Sequence, residues 1–193
     1  MNYYLDRNGY FVCKDLTNRE IINRNFSGVN ARAKTKYPGI DNKQFALVIR
    51  DNDVAQQLLD EGWPVSIRVP NVEYDPDEQP YYVMYVAVKF RDVAGRFFTD
   101  GRQPEIYLWS NGVKTPQDCK KDPEAAWDFC SVIPNDELMQ SQMDKTNFSK
   151  VELKVRKYVN SKGTTKVYLS RFDGMLRIDD MDRDPEGWAN PEE

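Results

Sequence analysis

Between Lys150 and Arg171 the chain alternates apolar and polar residues in two runs, one on each side of Asn160–Gly163, and no other stretch restricts the fold so tightly. Period-two alternation fits a strand with one buried face, and a short break containing glycine between two such runs fits an antiparallel hairpin. Val151, Leu153 and Val155 would then face the same way as Val167 and Leu169. The opposite face would carry Lys154, Arg156, Tyr158, Lys166 and Tyr168. If Tyr158 pairs with Lys166, then Arg156 pairs with Tyr168, and cations alternate with rings across the ladder.

The rest of the chain also reads mainly as strands. Arg19–Phe26 suits a strand, and Lys43–Arg50 is apolar on both faces, as a central strand would be. Asp51 and Asn52 precede Val54, Ala55, Leu58 and Leu59 at helical spacing, and Gly62 stands at a helix stop. Trp63–Val69 would bury Trp63, Val65, Ile67 and Val69 on one face. An acidic loop punctuated by two prolines, Asn71–Pro80, leads to the strand Tyr81–Phe90, with Tyr82, Met84, Val86, Val88 and Phe90 inward. Its other face is aromatic and partly polar: Tyr81, Val83, Tyr85, Ala87 and Lys89. Glu105–Ser110 reads as a short strand, Pro123–Cys130 and Asn135–Met143 as short helices, and Met175–Ile178 as a last turn of structure. Five to six short strands with one clear helix and minor helical insertions predict a mainly β fold, an OB-like β-barrel. The expected domains are residues 1–178 and an acidic tail, 179–193.

The chain contains no histidine, which removes Ser-His-Asp and Cys-His nucleophilic sites, HExxH zinc proteases and any site needing an imidazole. It has no GxxxxGK[ST], GxGxxG or GxSxG motif either. The reading is therefore a non-enzyme with no cofactor and no metal. No apolar run approaches the roughly 20 residues that span a bilayer, and the first residues lack a signal-peptide layout. Cys13, Cys119 and Cys130 are odd in number and without CxxC spacing, as expected of free thiols in a reducing cytoplasm.

A net charge of −4 conceals blocks of opposite sign. Residues 1–50 hold nine Lys/Arg against four Asp/Glu, and residues 143–171 hold eight against two. Residues 51–142 hold eight against seventeen, and residues 172–193 two against eight. Two basic segments that converge on one face would give the electrostatic footprint of nucleic-acid binding, although solvated surface charge gives the same counts. Single strands need cations for phosphates and flat rings for bases. The hairpin face Lys154, Arg156, Tyr158, Lys166 and Tyr168 offers both, with Lys162 in its turn and Lys89 on the strand Tyr81–Phe90. The loop residues Arg32, Lys34, Lys36 and Tyr37, with Arg24 before them and Lys43 after, suit an arm closing over a backbone. Asp180, Asp182 and Asp184 resemble the start of a calcium loop, but the glycine is misplaced, the twelfth-position Glu is missing and a proline interrupts. An acidic tail that binds partners through Asp179, Asp180, Asp182, Asp184, Glu186 and Trp188 fits better.

In this order of parts the chain resembles the single-stranded DNA-binding proteins of tailed phages. The resemblance rests on Asn25-Phe26-Ser27-Gly28, the phenylalanine-led strand Phe45–Arg50, the helix closing on Gly62-Trp63, the proline/acidic loop, Tyr81–Phe90 and the basic hairpin Lys150–Leu169. It covers roughly residues 19–190 by layout and short matches. Residues 111–149 match no part of the pattern, and the loop Glu73–Glu78 is more acidic than the pattern leads one to expect. The resemblance implies an OB barrel with an added helix and an acidic tail ending near an aromatic such as Trp188. It further implies a protein that coats single-stranded DNA in replication or recombination and recruits phage or host replication proteins, in the cytoplasm of an infected bacterium. Membrane partners are not expected, and a homodimer is compatible with these features. Two other readings fit parts of the charge pattern. One is an acidic DNA mimic that inhibits a host nuclease or defence complex. The other is a carboxylate-based nuclease, for which no D/E-x-K cluster has a catalytic setting.

Overall fold

The alternation that defines the hairpin recurs along the chain and builds more strands than expected. A computed structural model describes residues 2–28, 43–70, 79–90, 94, 96, 98, 102–109, 129–131 (backbone only) and 143–176. The strands are β1 (Asn2–Leu5), β2 (Tyr10–Leu16), β3 (Ile21–Asn25), β4 (Gln44–Ile49), β5 (Ser66–Arg68), β6 (Tyr81–Ala87), β7 (Glu105–Trp109), β8 (Phe129–Ser131), β9 (Phe148–Val159) and β10 (Thr165–Leu176). The helix α1 (Asn52–Asp60) follows β4. Asp51 caps it by accepting from the Asp53 and Val54 amides at 3.0 and 3.1 Å. Ala55 and Leu58 point into the core, and Gly62 takes φ +84° where the chain turns out of the helix.

All ten strands form one sheet whose main path is β1-β2-β9-β10-β6-β4-β3. β5 also pairs with β6, and β7 bridges β10 and β8. β9 and β10 are each 12 residues long and serve as the spine. A bulge between Leu169 and Arg171 bends β10. Before the bulge β10 meets β6 at Tyr168↔Ala87, and after it runs parallel to β7 from Arg171 to Met175. Two further bulges, in β2 and β3, contain Asp15 and Asn23 at φ 58° and 52°. Asp and Asn tolerate this left-handed conformation better than most residues.

One face of the sheet closes around a single core. Phe26, just beyond β3, stacks on Phe45 of β4 at 5.4 Å and meets Phe172 of β10 edge-on at 5.5 Å. Phe148 of β9 packs on the same Phe172 ring at 5.6 Å. Residues far apart along the pairing path thus touch, so the sheet curls upon itself. Among the described residues no pairing joins β3 to β1, and side-chain ties help hold the curl. The Asp144 carboxylate accepts from the Phe26 amide at 2.6 Å and the Ser27 hydroxyl at 2.7 Å. Among the described residues no helix is long and apolar enough to cross a membrane.

Several expectations change. Trp63 and Val65 are buried, but Ile67 and Val69 are exposed, because β5 lies on the sheet's border and carries the same face out of the core. Val83 is buried, not on a polar surface, since it pairs with Val48 of β4 where the sheet is covered on both sides. Cys130, expected at a helix end, lies in strand β8, paired with Leu108. Phe129 lies in β8 too, residues 123–128 and nearly all of Asn135–Met143 lie outside the described residues, and Met143 is helical. Met175 and Leu176 belong to β10, not to a separate turn. The tail 179–193 lies outside the described residues.

Candidate nucleic-acid interface

The hairpin turn sets what its two faces carry. The Asn160 side chain accepts from the amides of Lys162 and Thr164 at 2.9 and 3.0 Å, and Gly163 takes φ +81°. This fixes the register Tyr158↔Lys166 and Arg156↔Tyr168. Val151, Leu153, Val155, Val167 and Leu169 are buried, so the intervening residues form the outer face.

On that face a row crosses four strands: Tyr10 of β2 lies opposite Arg156, Arg156 opposite Tyr168, and Tyr168 opposite Ala87. The Tyr158 ring, 58% exposed, sits 6.1 Å from the Tyr168 ring. Lys89 lies 5.7 Å from the centre of the Tyr168 ring and Lys154 lies 4.7 Å from that of Tyr10. At the β1 border Lys14 stands 5.8 Å over Tyr4. Cations alternate with rings along the whole surface, so phosphate and base contacts can be made together. Burial and the neighbouring Tyr158 push the Tyr168 phenol above its ordinary pKa.

The next row extends the pattern. Lys154 pairs with Val12 on one side and Arg171 on the other, and Tyr4 pairs with Val12. The Arg171 guanidinium lies 4.5 Å over the Tyr107 ring and donates from Nε to the buried Asp173 at 2.8 Å. That hydrogen bond pushes the Arg171 pKa up. Trp109 Nε1 donates to the other Asp173 oxygen at 2.8 Å.

A family model described as "Putative phage ssDNA-binding domain" matches residues 13–183. The chain belongs to this family of phage single-stranded DNA-binding domains. Among solved structures it is similar to the single-stranded DNA-binding protein from bacteriophage Enc34 (C-terminal truncation), at 12% identity and a TM-score of 0.44, over 91% of each chain. No curated protein matches it. Family membership makes the protein a binder of single-stranded DNA in general role, not an enzyme. Among the described residues no group of His, Cys, Asp and Glu side chains is placed to hold a metal ion.

Within this phage domain the residues named from sequence are distributed unevenly. Lys89, Lys154, Arg156, Tyr158, Lys166 and Tyr168 share the outer face, with the exposed Lys162 at the hairpin tip. Arg24 is engaged elsewhere. Its guanidinium donates to the carbonyls of Met143 and Thr146 at 3.0 and 2.6 Å, and burial lowers its pKa. Lys43 lies 5.2 Å over the Phe90 ring. Arg32, Lys34, Lys36, Tyr37, Asp179, Asp180, Asp182, Asp184, Glu186 and Trp188 lie outside the described residues. Tyr4, Tyr10, Lys14, Tyr107 and Arg171 went unnamed. For the first three a signal existed, since Asn8-Gly9 between alternating residues marks a hairpin. Gly9 takes φ +85°, and Asp6 accepts from the Asn8 and Tyr10 amides.

Proposed function

We propose that this protein coats single-stranded DNA with the outer face of β2, β9 and β10 during phage replication or recombination, in the cytoplasm of the infected cell. The observation that carries the reading is the cross-strand row Tyr10–Arg156–Tyr168, flanked by Tyr158, Lys154 and Lys89. In this reading the curled sheet acts as an OB-like barrel that presents the row. The rings stack bases, the cations neutralise phosphates, and binding favours unpaired over paired DNA. The basic loop Arg32–Tyr37 closes over the backbone, and the acidic segment 179–193, with Trp188, recruits replication proteins. No cofactor is needed.

The deciding experiment is fluorescence anisotropy with labelled dT oligomers across a salt series, with and without Mg²⁺. Lys14, Lys89, Lys154, Arg156 and Lys166 give about five phosphate contacts, so log K against log salt should slope about −3 to −4. The oligomer should remain intact. A flat salt response or tighter binding to duplex would refute the reading. Shortening of the strand in Mg²⁺ would point to a nuclease, and absence of binding to a DNA mimic.

A further inference from the structure

Arg171 lies beside the proposed track with its charge already matched by carboxylates. Its Nε and Nη2 atoms donate to the two oxygens of Asp173 at 2.8 and 3.2 Å, and Nη1 donates to Glu105 at 3.5 Å. Two carboxylates therefore match its charge and occupy the fork that would grip a phosphate. Its Cζ atom lies over the Tyr107 ring, 4.5 Å from the ring centre. The side chain still keeps 28% of its surface exposed. With its carboxylate partners in place, what the side chain offers a bound strand is its remaining exposed surface rather than a free fork.

Asp173 is itself held in place. It is buried on β10, and Trp109 of β7 donates to it at 2.8 Å. The bulge after Leu169 turns β10 onto β7, so that Arg171 pairs with Glu105 and Asp173 with Tyr107. The whole assembly stands next to Lys154, in the row beyond Tyr168.

From this geometry we infer that Arg171, backed by Tyr107 and positioned by Asp173, is a stacking platform for a base of the bound single strand and not a phosphate contact. The inference rests on the proposed single-strand-binding face. Planar guanidinium groups stack on bases as aromatic rings do, and such stacking is indifferent to salt in a way that phosphate neutralisation is not.

The test compares Arg171→Lys and Arg171→Ala with wild type in the full chain, by dT-oligomer anisotropy over a salt series. Affinity is expressed per folded molecule, with the folded fraction taken from circular dichroism and thermal melts. Arg171→Lys keeps a cation beside Asp173 but loses the plane, so both variants should lose roughly 5- to 50-fold in affinity. The salt slope of Arg171→Lys, which conserves the charge, should match wild type, whereas Lys154→Ala should give a slope shallower by about 0.7. Wild-type affinity or a shallower slope in Arg171→Lys would overturn the platform. Unchanged affinity with a lowered melting temperature would also overturn it and leave Arg171 a brace between strands. If wild type fails to bind dT oligomers, the underlying reading of the face fails. If wild type binds and Tyr158→Ala weakens it while the Arg171 variants do not, only the platform fails.

Discussion

Replacing Tyr158 by alanine separates binding from folding more cleanly than any other change on the outer face. The ring is 58% exposed and meets Tyr168 at 6.1 Å in a tilted arrangement, so the fold loses one peripheral aromatic pair. Such a pair is worth about 0.5–1.5 kcal/mol. At roughly 2–4 °C per kcal/mol for a domain of this size, the melting temperature should fall by only a few degrees. Binding loses a ring on which a base stacks, about 1–3 kcal/mol. That is a weakening of roughly 5- to 150-fold. The assay is dT-oligomer anisotropy at one moderate salt concentration beside a thermal melt of the same preparation. Arg156→Ala is the control, because removing a phosphate contact should make the salt slope shallower by about 0.7, whereas Tyr158→Ala should leave it unchanged. Wild-type affinity in Tyr158→Ala would refute the assignment of this face as a stacking surface.

A methyl group at Gly174 would lie 2.5 Å from Phe148 Cε1 and 3.1 Å from Phe172, inside the packed aromatic core, so Gly174→Ala should lower stability by about 1–3 kcal/mol in denaturant titrations while sparing affinity per folded molecule. Arg24→Ala removes the donor to the Met143 and Thr146 carbonyls and should cost about 1–3 kcal/mol in the same titration, with single-strand affinity per folded molecule unchanged. Burial pushes the Tyr3 phenol up to about 12, so the fold favours the neutral form. That contribution is complete below the ordinary value near 10 and is lost as pH rises through 12; denaturation midpoints at pH 9 and 11.5 should therefore fall more for wild type than for Tyr3→Phe.

The hairpin was legible in sequence because two independent signals agreed, the alternation on both arms and a turn containing Asn160 and Gly163. The register Arg156↔Tyr168 followed from them. The helix was legible through Asp51 and Gly62 at its ends. Trp63–Val69 misled because alternation shows which side chains share a face but not where the sheet ends. At β5 that face runs out into solvent at Ile67 and Val69. The bonds of Arg24 to the Met143 and Thr146 carbonyls were not legible either, since counting cations does not show which are hydrogen-bonded to the backbone. The Arg171–Tyr107 contact could not be read at all. It depends on a bulge and on parallel pairing between strands far apart in sequence, and neither leaves a local pattern.

One sheet could serve as both core and interface because side chains along β9 and β10 alternate strictly between its faces as far as Leu169. The same strictness makes the arrangement fragile. A slip of β10 by one residue against β9 would turn Tyr168 inward and bring Leu169 to the surface. Burial of the inner set opposes this slip, and the turn makes it harder still, with the Asn160 side chain held by two amides and Gly163 at φ +81°. Beyond Leu169 the bulge breaks the alternation once, and the next outer positions bring in Arg171 and Asp173. Along the spine the outer face therefore changes character. Lys166 and Tyr158 come first, then Tyr10, Arg156 and Tyr168, then Lys154 and Arg171, and finally Glu152 opposite Asp173. A single strand following the cations would thus cross β10, β9 and β2, because a path down the hairpin leads from lysines to carboxylates. Turn chemistry at Asn160–Gly163 and the bulge at Ser170 thus determine which side chains a strand would meet.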